Sequence, residues 1–320
     1  MKDTEPSYTA FMLAVSQVLL HTHPEERNRR LVNDEMATMS QWFVDECAHQ
    51  TADPKFDASQ YTVESVNQDY TNLVQVDILR KHVFEKNIRK AIADGATQVV
   101  ILGGGFDTLV MRLRKHFPEV QFFEIDHPST SVVKKAVIEK KKAEYPDIDG
   151  PNAHYIAADF EKTSLKELLE KEKSFKPDSK TAFMAEGVLF YLRESTVRGI
   201  LTDINTLGGL GSQVIVETLD AINSSAQDQQ LAADVASVGE DQRWALDPAQ
   251  AKRFFEMYGL STRDVNDHRD RQVGFATDAE MASVRQQEGA KTYTLELTSK
   301  LGRLSHYERP DRTAAWDASR

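Results

Sequence analysis

Apolar residues recur at helical spacing over 8–20 and again over 25–49, a rhythm that predicts amphipathic helices. The stretch 53–68 interrupts it with Pro54 and several turn formers. Over 74–93 the rhythm resumes, with Val76, Leu79, Val83, Ile88 and Ile92 near one stripe. Beyond that point the period changes. Short apolar runs at 98–102, 120–125, 153–157, 181–185 and 212–218 predict strands, and 106–116, 129–144, 164–173 and 194–207 between them predict helices. Strand and helix in alternation is the pattern of a parallel sheet covered by helices. The polar, alanine-rich segment 221–242 reads as a helical insertion. After it the pattern predicts a helix at 248–258, a strand at 261–265, a helix at 278–287 and a last strand at 291–299, while the tail from 303 lacks periodicity.

The fold class that follows is α/β: a doubly wound, mostly parallel, seven-stranded sheet. Helices that precede the first strand lie outside such a core, so residues 1–94 read as a helical cap over its cofactor edge. Residues 95–320 then form the core, with an insertion at 221–247 ahead of the last strands.

At 320 residues the chain buries one large core, or a core with a helical annex. Its formal charge of −11 argues against a nucleic-acid substrate, since phosphate contacts need basic patches. The basic run KKAVIEKKK at 134–142 reads as a solvated helix face. A single cysteine, Cys47, excludes an internal disulfide and a cysteine-based metal cluster and fits a reducing compartment. Its neighbours, WFVDECAHQ, suggest a buried structural thiol on an amphipathic helix. The acidic start before AFMLAVSQVLL does not resemble a signal peptide, and no apolar run approaches the ~20 residues of a spanning helix. A cytoplasmic protein with no membrane partner is expected.

The chemistry concentrates at 99–127, VVILGGGFDTLVMRLRKHFPEVQFFEIDH. An apolar run ends in Gly103, Gly104 and Gly105, a helical segment follows, and a second strand ends in Glu124 and Asp126. Glycines let the backbone turn sharply and approach a ligand, and the next helix presents its first N–H groups to the same crevice. Glu124 and Asp126 lie 21 and 23 residues beyond Gly103, near the ~20-residue offset of a ribose-binding carboxylate. An adenosine cofactor is implied. The dinucleotide fingerprint would need glycine at 108, where Thr108 stands. Asp107, expected in the first helical turn, would repel a pyrophosphate and welcome a cation. S-adenosylmethionine carries a sulfonium and an ammonium and no phosphate.

Four acids fall where parallel strands end: Asp107, Asp126, Asp159 and Glu186. Ligands of open α/β sheets bind at that edge. A carboxylate is acceptor-only, so Asp126 suits both ribose hydroxyls and Asp159 suits an adenine amino group.

LGGGFDTLVMRL, FFEIDHP, AADF and AEGVLFYL together resemble the successive motifs of the leucine carboxyl methyltransferase-like family. The matching segments run from about Arg80 to Leu192, with weaker similarity through 249–265. The resemblance implies a Rossmann-like class I S-adenosylmethionine-dependent methyltransferase acting on oxygen. It also implies roles: Asp126 on the ribose, with Glu124 as its supporting neighbour, and Glu186 facing the methionine part of the cofactor. Asp159 would hold the adenine, with Phe160 supplying an N–H and an apolar wall. Arg80 is the match to the arginine that holds the cofactor carboxylate, with Lys81 and His82 as neighbours within the alignment's play. Tyr191 matches a tyrosine near the acceptor, or is a packed core residue. The cofactor-binding set is therefore Arg80, Gly103, Gly105, Asp107, Asp126, Asp159, Phe160 and Glu186.

A carboxylate acceptor needs no general base, whereas a phenol or alcohol usually does; His127, His154 and His268 are the available candidates, and no spacing singles one out. No H-E-x-x-H pattern or paired metal site occurs in the sequence, and no metal is expected. A small-molecule acceptor is preferred. Carboxyl methylation of a protein C-terminus, an NAD-linked oxidoreductase and a binding protein without turnover are the alternatives. Trp244 lines the pocket or anchors the insertion.

Overall fold

The computed structural model describes residues 4–222, 226–266 and 290–301, with side chains left aside at 63–76, 226–228 and 231. Four helices come first: α1 (Tyr8–His21), α2 (Glu26–Arg29), α3 (Asp34–Gln50) and α4 (Val63–Ala93). Ser7 caps α1 by accepting from the Ala10 N–H, and Asn33 caps α3 through Met36. The break expected at 53–68 shrinks to two short 3-10 turns, Pro54–Phe56 and Ala58–Gln60, because α4 starts eleven residues earlier than the stripe at 74–93 suggested.

Strands and helices then alternate as β1 (Gln98–Leu102), α5 (Leu109–Leu113), β2 (Gln121–Asp126), α6 (Pro128–Lys141), β3 (Ala153–Ala157), α7 (Leu165–Lys171), β4 (Thr181–Ala185), α8 (Glu194–Leu207) and β5 (Gln213–Thr218). The helix α9 (Ala226–Ser237) occupies the insertion, followed by α10 (Pro248–Glu256), β6 (Leu260–Asn266) and β7 (Lys291–Leu297). The helix expected at 278–287 lies outside the described residues.

The sheet runs β3-β2-β1-β4-β5-β7-β6. Pairings from β3 through β5 are parallel; β7 enters between β5 and β6 and pairs antiparallel with both. The sheet is thus mixed on one side. Alternation within each strand divides the core. Val100, Leu102, Phe123, Phe183 and Val214 face α7, α8 and α10, whereas Val99, Ile101, Phe122, Met184 and Ile215 face α4 and α5. Phe84, Ile88 and Ala91 bring the end of α4 into this second layer. A third cluster joins α1, α3 and α6 around Phe11, Phe43 and Val137, and contains Cys47. Cys47 is fully buried there, and burial pushes its thiol up to about 12, so it is a packed group rather than a nucleophile.

The strand order reverses between β1 and β4, which leaves a crevice outside their carboxyl ends. Among the described residues, no helix is long and apolar enough to cross a membrane.

Candidate active site

At that crevice a single cavity of about 900 Å3 is lined by Arg80, Gly103, Gly105, Asp107, Asp126, Asp159, Phe160, Glu186 and Tyr191. Every residue of the expected site therefore reaches one space. Its roof is α1, and the segment 234–243 closes one end.

The turn after β1 departs in detail from its expectation. Gly103 and Gly105 have φ of 69° and 49°, where a side chain is strained. A Cβ on Gly103 would meet Val188 Cγ2 at 2.5 Å, and one on Gly104 would meet Glu124 Cδ at 2.4 Å. These two glycines are required by the protein's own packing. Only at Gly105 is the nearest neighbour the roof, Ala10 Cβ at 3.2 Å. The helix expected at 106 begins at Leu109, because Phe106 turns inward and stacks on Phe43 at 5.2 Å. Asp107 consequently lies outside the helix, not in its first turn, and its Oδ1 accepts from the Leu109 N–H at 2.8 Å.

Asp126 ends β2 with both oxygens engaged by backbone. Oδ1 accepts from His127 N at 2.6 Å, and Oδ2 accepts from Gly105 N. An ionised carboxyl offers about four acceptor directions, so one on each oxygen is left for a vicinal diol. Burial raises its pKa against those two bonds. Beneath the turn, Glu124 pairs with Lys134, whose Nζ also donates to the Asp107 carbonyl at 2.7 Å. Burial pushes Glu124 up to about 7, with Lys134 opposing.

Charge gathers across the crevice. Arg80 Nε donates to Glu186 Oε1 at 2.9 Å, and its Nη1 lies 3.0 Å from Asp77 and 3.1 Å from Glu217. Lys81 Nζ donates to Asp107 Oδ2 at 2.6 Å and to Glu186 Oε1 at 3.3 Å. Four carboxylates thus surround two cations. Burial disfavours the Asp107 charge, but the Lys81 ammonium outweighs it and holds the carboxyl well below the usual range. Among the described residues, Glu186 Oε2 is buried with no hydrogen-bond partner. An orphaned buried carboxylate oxygen costs free energy until a donor meets it, and the surplus of negative charge calls for a cation.

On the far side Asp159 accepts from Glu161 N at 2.9 Å and pairs with Lys162 at 3.0 Å. Burial would raise its pKa, but the Lys162 bond brings it below the usual value. Phe160 is half-buried against the main core. Tyr191 ends a 3-10 turn, Leu189–Tyr191, and lines the cavity. Burial and the nearby Glu240 raise its pKa, so it stays protonated.

A family model for leucine carboxyl methyltransferases matches residues 10–205. The chain belongs to the leucine carboxyl methyltransferase family. A Bacillus subtilis protein named as a putative S-adenosyl-L-methionine-dependent methyltransferase is 27% identical over 202 residues, 59% of this chain and 64% of its own length. One of the same description from Mycobacterium tuberculosis is 33% identical over 141 residues, 43% of either chain. The chain therefore aligns with less than two-thirds of the length of these relatives. A solved Thermobifida fusca structure, described as a putative methyltransferase, has the same fold, with a TM-score of 0.58 at 16% identity over 92% of this chain and 96% of that one.

The family match covers the turn and the strand ends but not the segment 234–243. Sequence reasoning missed Asp77 and Glu217, which hold Arg80, and Glu240, which ties α1 to the insertion. Glu217 sits at the end of β5, as the four expected acids sit at theirs, and that register was the available signal. Of the three histidines, His127 caps α6 and lines the cavity. His154 does not line it; it stacks on Phe123 at 4.7 Å and bonds Gln121. His268 lies outside the described residues. Trp244 is buried against Phe254 at 5.9 Å and anchors the insertion rather than lining the cavity.

Proposed function

We propose that this protein is an S-adenosylmethionine-dependent methyltransferase that methylates an oxygen of a small-molecule acceptor. The observation that carries the reading is the unpartnered Glu186 Oε2 within a cluster of carboxylates, directly across the crevice from the β1 turn. A sulfonium and an ammonium match that field; a pyrophosphate does not, which disfavours an NAD-linked reaction. When bound, the cofactor supplies an electrophilic methyl group on sulfur.

The residues then have separable tasks. Asp126 holds the ribose diol with the acceptor directions its backbone bonds leave over. Asp159 accepts from the adenine amino group, and Phe160 walls that end. Glu186 faces the methionine part, while Arg80, anchored by Asp77 and Glu217, offers its remaining guanidinium edge to the carboxylate. Displacement at the methyl needs alignment and exclusion of water more than acid–base help. The roof made by α1 supplies both. A volume of about 900 Å3 lies in the range of small-molecule sites and leaves room beside a cofactor for a modest acceptor, which favours a metabolite over a protein C-terminus.

Incubating the protein with S-adenosylmethionine and metabolite mixtures, and screening by mass for the gain of one methyl group, tests the reading. Binding without any methylated product would favour a protein without turnover. The pH profile of the product-forming step then sorts the acceptor. A carboxylate, ionised above ~4, gives a flat rate from about pH 6 to 8. A hydroxyl deprotonated by His127 gives a rate that rises with pH and that His127→Ala removes.

A further inference from the structure

The face of α1 that roofs the cavity carries Ala10, Leu13, Ala14 and Gln17, positions that fall together at three- and four-residue steps. Only the last of them is polar. Gln17 is 2% exposed. Its Nε2 donates to the Leu13 carbonyl one turn back, a long bond of 3.4 Å. Turned the other way, the amide would set Oε1 against that carbonyl, so the bond fixes which end of the amide is left over. Among the described residues, Oε1 has no hydrogen-bond partner.

Glu186 Oε2 shares that condition. Gln17 and Glu186 are the cavity-lining residues, among those described, whose buried side-chain oxygens are left in this way. Both belong to one end of the cavity. Ala10 stands over Gly105, whose N–H meets Asp126. From there the roof runs seven residues, about 10 Å of helix, to Gln17. Leu20, three residues further, lies in one apolar cluster with Ile78 and Leu79 of α4. Their neighbours Asp77, Arg80 and Lys81 line the cavity, and Arg80 and Lys81 hold Glu186. The roof thus brings Gln17 to the Arg80–Glu186 end, away from the ribose acid.

Chemistry then narrows the occupant. A buried amide carbonyl without a partner costs free energy until an N–H or O–H donor reaches it. In the amino-acid portion of S-adenosylmethionine the carboxylate only accepts, and the ammonium is the donor, with three protons. Arg80 suits the first. We propose that Gln17 is a cofactor-specificity residue: its Oε1 and Glu186 Oε2 together take the ammonium group of the cofactor. The inference rests on the methyltransferase reading above and adds a contact made by the roof. A neutral carbonyl beside the carboxylate supplies a second acceptor without adding to the negative charge of the cluster.

Gln17→Met keeps the unbranched shape and removes the amide. Three probes divide the cofactor in calorimetry: S-adenosylhomocysteine; its deaminated analogue, which keeps the carboxylate and lacks the ammonium; and 5′-methylthioadenosine, which lacks both. Gln17→Met is expected to weaken S-adenosylhomocysteine about tenfold and leave the other two within about twofold. Without ligand, the variant should melt at the wild-type temperature or above it, because an apolar group has replaced an unpartnered buried carbonyl. Gln17→Leu should repeat both results with a different shape. Equal weakening of all three probes would show that Gln17 only packs the roof, and unchanged S-adenosylhomocysteine affinity would show that its carbonyl meets something else. Either result overturns the proposal, as does a fall in the ligand-free melting temperature of both variants. Wild-type protein that binds none of the probes sinks the methyltransferase reading instead, and the ligand-free melting temperatures still show whether the Gln17 carbonyl lacks a partner within the protein.

Discussion

The turn after β1 and the roof above it meet in one cavity but are built by opposite means. The turn is local: Gly103, Gly105 and Asp126 lie within 24 residues, and the contact between Gly105 N and Asp126 joins the ends of adjacent parallel strands. The roof is assembled from segments more than 200 residues apart, through Glu240 and the first turn of α1. Local geometry can be shared by many proteins that bind one cofactor. Long-range closure leaves little trace in sequence.

If the turn is the cofactor's anchor, its loss should dominate. Asp126→Ala is expected to remove a charge-assisted pair of bonds worth roughly 2–4 kcal/mol, a fall of about 30- to 1000-fold in S-adenosylhomocysteine affinity, with circular dichroism unchanged. Affinity that survives in a folded variant would move the anchor elsewhere.

Next in size is the buried acid under the turn. The folded pKa of Glu124 is raised, to about 7, by burial. The folded state thus binds this proton more tightly than the unfolded chain does. The stability it contributes is complete below its ordinary value of 4.5 and is lost as pH rises through 7, up to about 3 kcal/mol in all. Urea denaturation should show stability falling between pH 5 and 8, and Glu124→Gln should remove most of that slope. An identical slope in the variant would assign it to another group, Asp126 first.

Gly105→Val probes the point where turn and roof touch. A β-branched residue at positive φ costs roughly 1–2 kcal/mol, and its side chain would press on Ala10. A lower melting temperature with about tenfold weaker cofactor binding is expected; normal binding would separate the two regions. The smallest effect belongs to Lys162→Ala. Lys162 is 66% exposed in its pair with Asp159, and surface pairs contribute little. Cofactor affinity should change less than twofold, whereas Asp159→Asn should weaken it measurably more.

How far the sequence alone reached follows the same division. The five parallel strands and the four strand-end acids were legible because short apolar runs and glycine turns act over a few residues. The start of α5 was misplaced because Phe106 is drawn out of the helix by Phe43, a contact between segments 63 residues apart. The antiparallel entry of β7 between β5 and β6 could not be read, since an amphipathic strand does not name its neighbours. Arg80 was found but not its anchors, Asp77 and Glu217, because an ion pair between a helix and a strand end has no spacing rule.

The central claim is that this cavity takes a cationic, phosphate-free adenosine cofactor. Calorimetric titration of the wild-type protein with S-adenosylmethionine, S-adenosylhomocysteine and NAD tests it most directly. The expected result is saturable one-to-one binding of the first two, absent in Asp126→Ala, and no binding of NAD. Binding of NAD in preference to either would contradict the account.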